Sequence, residues 1–261
     1  MKTGIEKRLR NLHNRSSGGP LVFCPIDDSL LAGPFDGLRV MKQVVSSISA
    51  ASPSAILAFR GTLSRYSEEI GTIPTILNCT ASVVGEHHVE KVLIHTVEEA
   101  ISLGADAVAG HINLFSATAN DQMATFGHIS RTAHSYGMPV VAIAYPRQSV
   151  DGVDDNFDEL KTNDNTRYAS LVAHAVRVAV ELGADIIKTQ YTGHPETFQA
   201  VVDAACGVPL VIAGGPKLPT DDALTLAQNA LMSGASGVSF GRNIFNRADP
   251  GAFIETLKSE L

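Results

Sequence analysis

Apolar residues follow two rhythms along this chain. Short unbroken blocks, such as Ala55-Ile56-Leu57-Ala58-Phe59 and Val140-Val141-Ala142-Ile143-Ala144-Tyr145, alternate with longer stretches in which Ala, Val and Leu recur every three or four residues, as in Arg167–Leu182. The first rhythm predicts strands buried on both faces, the second helices with one apolar stripe. Two junction phrases repeat between them. Leu103-Gly104-Ala105, Leu182-Gly183-Ala184 and Ser233-Gly234-Ala235 each close a helix on glycine and open an apolar run. Glycine past a helix end supplies the left-handed cap. Gly137-Met138-Pro139 and Gly207-Val208-Pro209 open strands on proline, whose missing N–H is tolerated there.

These signals predict strands at Leu21–Asp27, Ala55–Phe59, Thr75–Cys79, Ala107–Asn113, Val140–Tyr145, Ile186–Tyr191, Leu210–Ala213 and Gly237–Gly241. Alternating strand and helix implies a parallel sheet, and eight units in one chain of 261 residues fit a (β/α)8 TIM barrel filling residues 1–261 as one domain. The stretch between Gly61 and Thr96, with its polar patch Gly85-Glu86-His87-His88, reads as an elaborated third unit. The acidic segment Gln148–Asn165 reads as a long loop of the functional-lid or disordered kind.

Composition narrows the class. Charged residues make up 18% and hydrophobic ones 44%, ordinary for a soluble globular protein. A net charge of −7 argues against nucleic acid as a partner. There is no apolar run of membrane-spanning length, so no membrane partner is expected. The polar N-terminus lacks the apolar core of a signal peptide. Cys24, Cys79 and Cys206 share no metal-like spacing, which suggests buried thiols in a reducing cytoplasm.

One lysine then stands out. Lys188 closes the apolar run Ala184-Asp185-Ile186-Ile187. A lysine in such a run is either a neutral amine able to form a Schiff base or one that snorkels or pairs. In a barrel, all strand C-termini share one mouth. That mouth would hold Asp27-Asp28-Ser29, Arg60-Gly61, His111-Ile112-Asn113, Tyr145-Pro146-Arg147, Lys188 with Tyr191, Gly214-Gly215-Pro216-Lys217 and Gly241-Arg242. Lys188 is the candidate carbonyl-trapping amine, and Tyr145 the candidate proton donor or acceptor. Asp27 either assists proton transfer and orients a hydroxyl, or caps the turn that follows. Gly214, Gly215, Gly241 and Arg242 pair two glycine turns on consecutive strands, a pattern suited to phosphate. His111 either touches substrate or is a satisfied core histidine. His87, His88, His95, His134 and His174 show no ligand spacing, and His174 and Arg177 read as a solvated helix face.

These residues resemble a known family. Ala184-Asp185-Ile186-Ile187-Lys188-Thr189-Gln190-Tyr191-Thr192-Gly193 is similar to the Schiff-base lysine strand of the archaeal-type class I fructose-bisphosphate aldolases. That family includes the 2-amino-3,7-dideoxy-D-threo-hept-6-ulosonate synthases and the autoinducer-2 thiolase. Ala144-Tyr145-Pro146-Arg147, Val211-Ile212-Ala213-Gly214-Gly215-Pro216-Lys217, Gly241-Arg242-Asn243-Ile244-Phe245 and the stretch from Thr96 to Asn113 carry the same resemblance, which runs from about Pro20 to Phe253. It implies a (β/α)8 barrel in a homo-oligomer, often a decamer. It assigns Lys188 as Schiff-base lysine, Tyr145 as proton donor or acceptor, and Asp27 as active-site carboxylate. Gly214, Gly215, Gly241 and Arg242 are assigned to phosphate. Its partners are a phosphorylated ketone and an aldehyde, with no cofactor and no metal.

Two positions depart from the pattern. Asp27-Asp28-Ser29 stands where the family has Asp-His-Gly, and Phe59-Arg60-Gly61 where its synthase branch has His-Lys-Gly. Asp28 and Arg60 are therefore candidates for meeting the second substrate. The expected activity is a class I aldolase or transaldolase using dihydroxyacetone phosphate or a phosphorylated ketose in a biosynthetic route. One branch of this kind condenses dihydroxyacetone phosphate with aspartate semialdehyde toward aminohydroxybenzoate. Fructose-bisphosphate aldolase activity, thiolase-like acyl transfer and non-catalytic phosphosugar binding are the alternatives.

Overall fold

A computed structural model describes residues 2–14, 18–33, 36–82 and 89–261. The expected patch Gly85-Glu86-His87-His88 lies outside the described residues. Eight parallel strands close into a barrel: β1 Leu21–Pro25, β2 Ala55–Ala58, β3 Thr75–Asn78, β4 Ala107–Asn113, β5 Val140–Tyr145, β6 Ile186–Thr189, β7 Leu210–Ala213 and β8 Gly237–Ser239. Each pairs with its neighbours in sequence, and β8 pairs back onto β1 through Leu21↔Gly237, Val22↔Val238 and Phe23↔Ser239. Glycine is required at that seam, because a Cβ on Gly237 would lie 2.2 Å from the Leu21 carbonyl oxygen. All eight expected strands are present, and the expected (β/α)8 TIM barrel is what the chain forms.

The helix-to-strand phrases behave as their chemistry dictates. Gly104, Gly183 and Gly234 each follow a helix end with positive φ, at +71°, +87° and +101°. Strand residues then alternate between two apolar cores. Leu21, Phe23, Leu57, Val141, Ile143, Ile186 and Val211 fill the barrel interior, while Val22, Cys24, Ile56, Ala142, Ile187 and Ile212 pack outward against the helices. A helix ahead of the barrel, Lys2–Asn14, contributes Leu9 and fully buried Leu12 to the interior core. Its Arg8 donates to the Gly137 carbonyl at 2.8 Å, tying it to the strand N-terminal end.

Two expectations are corrected. Residues 148–165 are not a structureless loop: Gln148–Val150 pairs antiparallel with Val153–Asp155, and a helix follows at Asp158–Asn163. The Asp155 carboxylate accepts the Phe157 N–H at 2.7 Å and fixes the joint between them. Cys24 and Cys79 are buried as expected, whereas Cys206 is exposed, 3.0 Å from an Arg177 guanidinium nitrogen. In the third unit, Thr80–Ala81 pairs antiparallel with Val92–Leu93, forming a small ribbon between β3 and β4. Among the described residues, no helix is long and apolar enough to cross a membrane.

Candidate active site

Strand alternation decides which side chains enter the mouth. On β6, Ile186 faces the interior and Ile187 the helices, so Lys188 returns to the interior face. The same parity carries β5 from Val141 and Ile143 to Tyr145, and β4 from Ala107 and Ala109 to His111. These residues line one cavity of about 640 Å³ together with Asp27, Asp28, Gly214, Gly215, Gly241 and Arg242. Nine of the ten sequence-derived candidates therefore share it. Arg60 does not: it begins the helix Arg60–Arg65, is exposed, and pairs with Glu99 at 3.5 Å. A strand-end position brought the Arg60 backbone near the mouth, but its side chain turns to the rim.

Lys188 is half-buried and has no ion-pair partner among the described residues. The snorkelling or paired alternative loses its pair. Asp27 precedes the helix Asp28–Ala32 without making a side-chain cap bond, so its capping reading falls away. Its buried carboxylate accepts instead from Asn78 Nδ2 at 2.8 Å, and Asn78 Oδ1 accepts the Thr80 N–H at 3.2 Å. The second bond fixes which end of the amide faces Asp27. Asn78 is fully buried at the end of β3 and orients an acid that would otherwise rotate. Tyr145 is 4% exposed, and the Arg147 guanidinium lies 4.3 Å above its ring centroid.

The glycine turns occupy the β7 and β8 side. A Cβ on Gly214 would come within 2.7 Å of the Phe240 ring and 2.8 Å of Asn243 Nδ2. Gly215 adopts φ +65°. Asn243 Nδ2 ties the first turn to the second by donating to the Gly214 carbonyl at 2.9 Å. Arg242 stands beside them, its Nε 3.7 Å from Asp28 Oδ2. Burial and, next, the Asp27 carboxylate push the Asp28 carboxyl upward, against the pull of Arg242, Lys188 and Arg147. His111 is buried, and its Nδ1 meets Thr80 Oγ1 at 2.9 Å, so this histidine both lines the cavity and is satisfied on one side. Tyr191 also reaches the cavity, but its hydroxyl lies 3.5 Å from Ser233 Oγ and its ring packs on Phe198.

Lys91, Asn156, Asp158 and Lys161 line the cavity without having been singled out in the sequence, and Arg147, expected at the mouth, joins them. Lys91, at 7% exposure, enters from the ribbon between β3 and β4. Burial first, then the Arg147 guanidinium, push its ammonium down to about 8. Arg147 lines the wall and its Nε is buried without a hydrogen-bond partner. Asn156, Asp158 and Lys161 come from the segment once expected to be a loop. In all, five cationic side chains face three carboxylates across the mouth. The available signal was weak: a lysine after one glutamate in Val89-Glu90-Lys91-Val92 carries no motif and looks like any half-exposed strand end.

A parallel barrel whose C-terminal mouth gathers a lysine, a tyrosine, a held carboxylate and two glycine turns defines a barrel lyase acting on a small anionic carbonyl compound. Family comparison agrees. The DeoC/LacD family aldolase model matches residues 21–247, and the chain belongs to that family. It is a class I aldolase, the kind that works through a lysine Schiff base. It is 35% identical over 253 residues to a 2-amino-3,7-dideoxy-D-threo-hept-6-ulosonate synthase of Halobacterium salinarum, covering 97% of this chain and 90% of the relative. It is 34% identical over 254 residues to a 2-amino-4,5-dihydroxy-6-oxo-7-(phosphonooxy)heptanoate synthase of Streptomyces griseus, covering 96% and 87%. Among solved structures, an archaeal fructose-1,6-bisphosphate aldolase with its catalytic lysine bound to the carbinolamine intermediate superposes with a TM-score of 0.83. It is 28% identical over 98% of both chains.

Proposed function

We propose that this aldolase joins dihydroxyacetone phosphate to a four-carbon amino aldehyde, aspartate semialdehyde, with Lys188 as the Schiff-base residue. The observation that carries it is Lys188 on the interior face of β6, in one cavity with the paired glycine turns and Arg242. The acceptor follows from retro-aldol logic. The product named for the Streptomyces griseus relative has its ketone at C6, its phosphate at C7 and hydroxyls at C4 and C5. Breaking C4–C5 returns dihydroxyacetone phosphate and 2-amino-4-oxobutanoate, which is aspartate semialdehyde. Glyceraldehyde 3-phosphate as acceptor is the second reading, favoured by the likeness to the archaeal fructose-bisphosphate aldolase.

In this reading each side chain has one task. Lys188 Nζ adds to the donor ketone, and loss of water gives an iminium. Removal of a proton from the adjacent hydroxymethyl carbon gives an enamine, whose carbon attacks the aldehyde. Tyr145 moves protons at the reacting carbon and the new hydroxyl, and Asp27, steadied by Asn78, serves the carbinolamine steps. Water then releases the product and restores the amine. Gly214, Gly215, Gly241 and Arg242 hold the phosphate, Arg242 by a charge-assisted contact. His111 borders the space for the acceptor, and Asp28, beside Arg242, borders the phosphate. Assembly into a homo-oligomer, which the family resemblance implies, belongs to the same proposal.

Borohydride reduction after incubation with dihydroxyacetone phosphate tests this directly. The expected result is a stable adduct mapped by mass spectrometry to Lys188, absent from a folded Lys188→Ala protein that has lost turnover. Turnover retained by Lys188→Ala sinks the covalent mechanism.

A further inference from the structure

Across the mouth from the glycine turns lies a second cationic pair that the steps above leave unused. In the eight-stranded ring, β3 and β4 stand opposite β7 and β8. Lys91 enters from the β3–β4 connection and Arg147 from the end of β5. The Lys91 backbone is clamped from both directions. Val92 and Leu93 pair with Ala81 and Thr80, and the Val89 carbonyl accepts from Asn113 Nδ2 at 2.6 Å and Gln122 Nε2 at 3.0 Å. One donor of the Lys91 ammonium reaches Ser82 Oγ at 2.7 Å. Arg147 forms no ion pair among the described residues, and its buried Nε has no hydrogen-bond partner. Both side chains line the cavity, and two like charges there are costly; burial first, then Arg147, push the Lys91 ammonium down, against the pull of Asp27 and Asp28. A bound anion relieves that cost.

We propose that Lys91 and Arg147 form the subsite for the carboxylate of the acceptor aldehyde. This rests on the reading of Lys188 as the Schiff-base residue. With donor phosphate at β7 and β8 and the donor carbonyl carbon on Lys188 of β6, the nucleophilic carbon points away from the phosphate. The acceptor then lies toward β3, β4 and β5, where Lys91 and Arg147 wait. A guanidinium presents paired N–H groups that match the two oxygens of a planar carboxylate, and the ammonium adds a point charge.

The test compares kcat/KM for two aldehydes of equal length, succinate semialdehyde and butanal, with dihydroxyacetone phosphate as donor. The wild-type protein should prefer the carboxylate aldehyde by about 10- to 100-fold, the range that charge-assisted hydrogen bonds supply. Lys91→Met and Arg147→Gln should each collapse that ratio, and Lys91→Arg should keep part of it. A wild-type protein without the preference overturns the subsite whatever the variants do. So does a variant that loses both aldehydes equally. A preference for glyceraldehyde 3-phosphate over succinate semialdehyde also overturns it and makes the pair a phosphate site. If no borohydride-stable adduct forms on Lys188, the underlying reading has failed; if the adduct forms and the preference is missing, only the subsite has.

Discussion

At the residue scale, the site is a contest between burial and charge, and Lys91 shows it most sharply. An ordinary lysine holds its proton to about 10.5, but burial and Arg147 bring this one down to about 8. Between those values the unfolded chain binds more protons than the folded one, so stability rises with pH across that window. Below about 8 the folded protein carries the full cost of a buried, unpaired ammonium. Substrate-free wild-type protein should therefore become more stable as pH climbs from about 8 to 10.5. Lys91→Met should flatten that rise, measured by urea denaturation at a series of pH values. An unchanged slope in the variant would place the titration elsewhere. Residue-scale chemistry was the part least legible in the sequence. Lys188, Tyr145 and Asp27 announced themselves through strand-end positions and motifs. Asn78 and Lys91 act through partners away from them in sequence, Asp27 for Asn78 and Ser82 for Lys91, and no local pattern encodes such contacts. Arg60 lies outside the cavity for the converse reason, since a strand-end address does not fix which way a side chain leaves the backbone.

At the element scale, legibility tracked the strength of local signals. Buried parallel strands and glycine-closed helices are written in unbroken apolar runs and left-handed caps, and all eight strands were found. The segment 148–165 was missed because its ribbon strands are three residues each, too short for a period to register. The helix Val97–Ser102 shows a local signal fulfilled. Thr96 Oγ1 accepts the Glu99 N–H at 3.3 Å, and Glu99 Oε2 accepts the Thr96 N–H at 2.8 Å. This reciprocal cap opens the helix leading into β4, the strand that carries His111. Thr96→Ala should cost about 1 kcal/mol of unfolding free energy, within the usual range for a lost cap. A denaturation midpoint indistinguishable from wild type would show that Arg60 and His95, which also flank Glu99, hold this turn without it.

At the scale of the whole molecule, one end of the barrel is stoppered and the other open. Leu12 is fully buried against the interior core beneath the strand N-termini. Leu12→Ala should destabilise the protein by about 2–5 kcal/mol, as a large-to-small core change does. Because the catalytic cavity lies at the other end, KM for dihydroxyacetone phosphate should stay unchanged at temperatures where the variant is folded. A shifted KM would mean that strain passes along the barrel axis. The open end concentrates positive charge in a protein that is negative overall, −7 by formal count. Asp28 gives that end a further property. Its carboxylate sits beside Arg242, where the proposed function puts the phosphate. In kinetic language it is a competitive inhibitor on a tether, present at an effective concentration on the order of millimolar or above. A stray monoanion that displaces it merely exchanges one weak occupant for another. A phosphate dianion brings more charge than it removes. On that proposal, the Asp28 carboxylate sets a threshold of charge that a ligand at Arg242 has to exceed.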